Sequence, residues 1–118
     1  MSTIIINDYI TLNQGITSEE GIPVYDAIYS ELNKGKEVTL DFADVKFLTT
    51  AFLNVAIGTL YKDYTSEQLQ ASLHIKNITP ETAARIKKVT TNAKAFYEDE
   101  AKFNQSVEEI IYGNAQDF

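Results

Sequence analysis

The chain has 118 residues, 44% of them hydrophobic, with 10 Lys and Arg against 17 Asp and Glu for a net charge of −7. It holds no cysteine and a single histidine, His74, which excludes disulfides, thiolate metal sites and a cysteine nucleophile, and leaves little for a His-based metal site or a Ser-His-Asp triad. So acidic a chain is a poor partner for nucleic acid or an anionic membrane.

The length suits one domain over 1–118. No basic residue precedes the short apolar run Ile4-Ile5-Ile6, and no window approaches ~18 uninterrupted apolar residues. The expectation is a soluble cytoplasmic protein with no membrane contact.

In chain order, Thr3 to Ile6 and Tyr9 to Leu12 read as strands, with Asn7-Asp8 as the turn of a short hairpin. Asn13-Gln14-Gly15 and Gly21 mark a loop. Ile22, Tyr25, Ile28 or Tyr29, and Leu32 recur at helical spacing after Pro23, so a helix is predicted over about 22–34, with Pro23 in its first turn and Gly35 as its C-terminal cap. From Glu37 to Phe42 the period becomes two, with Val38, Leu40 and Phe42 on one face. Covering helices then belong mainly on one side of the sheet.

Thr49 to Tyr61 is apolar nearly all round and reads as a buried helix capped by Thr49 or Thr50. After a turn from Asp63 to Glu67, Ala71, Leu73 and Ile75 alternate as a strand, with His74 and Lys76 opposite. Thr79-Pro80 is a strong helix start, with Thr79 as N-cap and Ile78 placed to staple onto Ala83. That helix carries Ala83, Ile86 and Val89 inward. Thr90-Thr91-Asn92 weakens it, and a last helix follows with Phe96, Phe103, Val107 and Ile110 on one stripe, ending at Gly113. The sum is an α/β domain, a small mixed sheet with helices packed mainly on one face.

Three places carry possible chemistry. The first is the unit from Glu37 to Tyr61, where Asp41 and Asp44 lead through Lys46 and Phe47-Leu48 into Thr49-Thr50 at a helix entrance. Unpaired N–H groups there favour an anion, and a phosphate on either threonine would sit in that field. Read structurally, one threonine caps, the other packs, and the aspartates finish a strand and a turn. Asn54, one turn beyond Thr50, shapes the same place, and Gly58 inside an apolar helix points to close packing or a partner's approach.

The second is charge. Lys76, Arg85, Lys87, Lys88 and Lys94 face only Glu81 between residues 76 and 94. This is either a solvated helix face or a docking strip for an acidic surface, centred on Arg85, Lys87 and Lys88. The third is the isolated polar inventory. His74 reads as a solvated strand residue, no spacing gives a metal site, and the glycines form no nucleotide-binding motif. Seven Tyr and six Phe serve the core, with some left for an interface.

The run VTLDFADVKFLTTAFLNVAIGTLY resembles the core of STAS-like domains, relatives of bacterial anti-sigma-factor antagonists, and more closely an uncharacterised STAS-like branch. Asp41 matches the family's strand-end Asp and Phe47-Leu48 its apolar pair. Thr49, Thr50, Ala51 and Phe52 stand at the Asp, Ser, Ser/Thr and Gly places that open the helix. The resemblance implies a STAS-like fold and a regulatory, non-catalytic module whose partner is a GHKL-type ATPase or kinase. It also implies a phosphorylated hydroxyl just before the Gly place, where this chain has Ala51, so a switch here falls to Thr50 or else to Thr49. The partner surface so implied takes in Asp44, Lys46, Thr49, Thr50 and Asn54, with no cofactor. Two other classes stay open: an oligomerising subunit of a bacterial assembly, and a small-ligand or nucleotide sensor.

Overall fold

The computed structural model describes the backbone of residues 2–112 and the side chains of residues 2–97. Strand β1 (Ser2–Ile5) runs into a 3-10 turn (Ile6–Tyr9), then β2 (Gln14–Gly15), α1 (Ser18–Asn33), β3 (Val38–Asp41) and β4 (Phe47–Leu48). Next come α2 (Thr50–Ala56), a second 3-10 turn (Gly58–Lys62), α3 (Ser66–Ser72), β5 (Leu73–Lys76) and α4 (Pro80–Tyr112).

Both described sheets are parallel: β1, β3 and β5 form one with β3 central, and β2 pairs β4 in the other. The hairpin expected between Thr3–Ile6 and Tyr9–Leu12 does not form. Ile6 is 1% exposed, and the chain winds into a 3-10 turn that puts this side chain in the core. Leu12 and Asn13 then adopt positive φ (56° and 62°), which ends any extended run before β2. Strand β1 is left to pair with β3, where the Ile4↔Leu40 register sets two buried apolar side chains on one face. The alternation read for Val38, Leu40 and Phe42 is borne out, all three being buried.

Helix α1 begins four residues before its predicted start. Thr17 and Glu20 form a capping box, the Thr17 hydroxyl accepting from the Glu20 N–H while the Glu20 carboxylate accepts from the Thr17 N–H. Pro23 therefore lies inside the helix, where its ring costs one backbone hydrogen bond. The C-terminus is as expected. Gly35 at φ 77° lets its own N–H reach Leu32 O and that of Lys36 reach Glu31 O, a Schellman closure.

Another capping box, Thr65 with Gln68, starts α3 where a simple turn was expected. Thr79 caps α4, its hydroxyl accepting from the Thr82 N–H at 3.2 Å. Thr82, not Ala83, then turns inward with Ile86 and Val89, and Ala83 is exposed. No new helix begins at Asn92. The Thr90 hydroxyl donates back to Lys87 O within the helix, and α4 continues unbroken. The stripe positions Phe103, Val107 and Ile110, and the end at Gly113, lie outside the residues whose side chains or placement are described.

Burial concentrates on one side of the main sheet. Val24, Ile28 and Leu32 of α1 and Phe52, Leu53 and Ala56 of α2 join Val38 and Leu40 in a single apolar cluster. The opposite sheet face carries polar pairs beside the exposed Ile5: His74 Nε2 meets a Glu37 carboxylate oxygen at 2.7 Å, and Lys76 pairs with Asp41 at 3.8 Å. Fully burying one Leu or Phe contributes about 1.5–3 kcal/mol, so this cluster is what sets the position of α2.

Candidate functional site

The site is the entrance to α2, where two loops are braided. After β3 a turn closes through Val45 N–H to Phe42 O, with Asp44 at φ 64°. The Asn13 side chain donates to Asp44 O at 3.0 Å, and Asn13 O accepts from the Lys46 N–H at 2.8 Å. The β2–β4 pairing extends this tie, and the Thr49 N–H donates to Gly15 O at 2.9 Å. Asp44 and Lys46 both stand exposed on the loop.

Asp41 holds the base of the loop. Its Oδ1 accepts from the Asn77 side chain and from the Ala43 N–H, each at 2.9 Å. These bonds, led by that of Asn77 and supported by Lys76, lower its pKa from the ordinary 3.8. The carboxylate is thus a clasp between the ends of β3 and β5, and stays ionised at neutral pH.

The two threonines divide their work. The Thr49 hydroxyl accepts from the Phe52 N–H at 3.1 Å and donates to Ile16 O at 2.6 Å, so it caps α2 and pins it to the segment before α1. Thr50, the first residue of α2, is exposed, as are Ala51 and Asn54. The helix read as buried all round therefore has an open face of these three residues, a short one because α2 has only seven residues. Leu12 is 81% and Ile16 42% exposed, so the braid offers apolar surface, with the Ile16 carbonyl tied to the Thr49 cap. Sequence reasoning took Asn13 and its neighbours only as loop residues. No local signal marks Leu12 or Ile16, because their role comes from the β2–β4 pairing.

The remaining expected residues fall elsewhere. Asn54 lines a cleft of about 280 Å³ with Gly58, Asn92, Ala93, Phe96 and Tyr97, between α2 and α4. A Cβ on Gly58 would meet Ala93 and Val89 at an ordinary 3.5 Å, so this glycine is not required by tight packing. The close approaches are at Gly15, where a Cβ would lie 2.7 Å from Leu48 and 2.8 Å from Phe52, and at Gly21, 2.7 Å from the Phe52 carbonyl oxygen.

The basic strip is split. Arg85 bonds Glu81 at 2.9 Å and sits 4.9 Å above the Phe47 ring, which ties α4 to β4, while Lys87 and Lys88 are exposed. Among the described residues no group of three or more His, Asp or Glu is placed to hold a metal, and no helix is long and apolar enough to cross a membrane.

No curated protein and no solved structure matches the chain. A family model described as a STAS-like domain of unknown function (DUF4325) matches residues 20–83, from the first turn of α1 to the first turn of α4. That span holds the strand-end Asp41, the Phe47-Leu48 pair, both threonines and the open face of α2, and covers more than half of the chain, which thus belongs to this STAS-like family.

Proposed function

We propose that this protein is a non-catalytic regulatory module that binds a GHKL-type ATPase or kinase through the 44–50 loop and the open face of α2, with Thr50 as its phosphorylation site. One observation carries the reading: of two adjacent threonines, Thr49 spends its hydroxyl on the fold and Thr50 presents its own to solvent. A kinase needs an accessible hydroxyl, and only Thr50 offers one without unpinning α2.

Two features support a protein partner. Exposed apolar residues, Leu12 and Ile16, stand on the same braid of loops, and Asp44 and Lys46 supply exposed charge on it, which suits an interface that mixes apolar and polar surface. A doubly charged phosphate on Thr50 would change the charge of that small surface and so the choice of partner.

The test is intact-mass spectrometry of the chain after incubation with ATP and a GHKL-type kinase encoded in the same genome. The expected result is one added phosphate, lost in Thr50→Ala, with Thr50→Glu altering the kinase affinity. An unmodified chain that still binds removes the switch and leaves the binding module. A chain neither modified nor bound overturns the module itself.

A further inference from the structure

We propose that Leu12 is the anchor residue of the partner-binding surface, the side chain that enters an apolar pocket of the ATPase or kinase. This contact rests on the partner reading proposed above. Its evidence is a backbone conformation. The Gln14 N–H donates to Thr11 O at 3.1 Å and closes a two-residue turn, whose central residues Leu12 and Asn13 have φ of 56° and 62°. Positive φ at both centres belongs to the mirror-image hairpin turns, which favour Gly, Asn and Asp. For a bulky residue such as Leu this region is an outlier, because its Cβ crowds the following carbonyl oxygen.

The two residues differ in what holds them there. Asn tolerates the left-handed region, and the Asn13 side chain donates to Asp44 O at 3.0 Å and to Asn7 Oδ1 at 3.3 Å. Leu12 is 81% exposed, the most exposed large hydrophobic among the described residues. Its side chain therefore adds little to the core while its backbone is strained. A strained residue that the fold does not use is accounted for by what it meets outside the chain.

The mount is fixed. Asn13 O accepts from the Lys46 N–H, Gly15 O from the Thr49 N–H, and Ile16 O from the Thr49 hydroxyl. These bonds fasten the turn to the 44–50 loop and to the entrance of α2. A side chain carried on a rigid turn has less freedom to lose on binding. One projecting leucine fits a pocket in a protein, and the net charge of −7 disfavours an anionic bilayer as its destination.

The experiment is calorimetric titration, without ATP, against the GHKL-type kinase encoded in the same genome, together with thermal unfolding of each chain alone. Leu12→Asn suits the turn and removes the apolar side chain. It should raise the unfolding midpoint by about 3 °C and weaken kinase binding by on the order of thirtyfold. Leu12→Met, an apolar side chain of similar volume, should keep the binding. Wild-type binding that Leu12→Asn leaves unchanged overturns the anchor and leaves the partner reading standing. A Leu12→Asn chain less stable than wild type makes Leu12 a structural residue and overturns the anchor too. Self-association that depends on Leu12, seen by sedimentation, assigns the pocket to a second copy and has the same consequence. A wild-type chain that does not bind the kinase refutes the partner reading itself, and the anchor falls with it.

Discussion

Helix α2 meets its two helical neighbours in opposite ways. Toward α1 the backbones themselves touch, because Gly21 lies where even a methyl would strike the Phe52 carbonyl oxygen. Toward α4 there is room: Gly58 has ordinary clearance and opens onto a cleft. Both glycines are buried and both lie in or beside helices, so burial alone does not say what a glycine is for. The α1 side is closed and fixes the height of α2 over the sheet. On the other side, Thr50 and Asn54 are exposed and the surface opens into the cleft.

The sharpest way to break this contrast is Gly21→Ala. The added carbon meets backbone, which cannot swing aside, so the helices must separate at a cost of about 2–3 kcal/mol in urea unfolding. A loss below about 0.5 kcal/mol would mean that α1 and α2 are not locked together.

The next effect is at the entrance. Thr49→Ala removes the cap of α2 and the bond to Ile16 O, costing about 1–2 kcal/mol. Thr50→Ala, on the exposed neighbour, should stay within about 0.5 kcal/mol. Equal losses at the two positions would erase the division on which Thr50's assignment depends.

The smallest effect has the opposite sign. Gly58→Ala fits the available space and restricts the unfolded chain, so it should stabilise by about 0.4–1 kcal/mol. The same Gly→Ala exchange thus destabilises on one side of α2 and stabilises on the other, and a shared sign would refute the comparison.

Much of the local structure was legible in the residues. Gly35 as a helix terminator, Thr79-Pro80 as a start, and Val38, Leu40 and Phe42 as one face of a strand all depend on contacts within a few residues. The early start of α1 was written there too, in Thr17 and Glu20 at capping-box spacing, but Pro23 offered a competing start. A proline tolerated in a helix interior is a tertiary outcome: α1 is held by Val24, Ile28 and Leu32 in the core, which outweighs one missing bond. Asn7-Asp8 suits the turn of a hairpin, but the core takes Ile6 into a 3-10 turn that includes both residues, so no second strand returns along β1.

At the candidate site, the sequence marks a helix entrance with two threonines, and the tertiary structure decides which of them caps it. Thr49 and Thr50 are the same residue type one position apart, and either is a competent cap. What separates them is the Ile16 carbonyl, brought within 2.6 Å of Thr49 by the parallel pairing of β2 with β4.

By itself the sequence determined an α/β, cysteine-free, acidic chain with its notable motif at one helix entrance, because composition, periodicity and capping act over a single turn or strand. Only the tertiary structure decided that β1 pairs with β3 in parallel, that Gly21 is locked while Gly58 is free, and that Thr50 is the threonine left exposed. Those outcomes depend on which distant backbone atoms arrive beside a residue, and no local spacing encodes that.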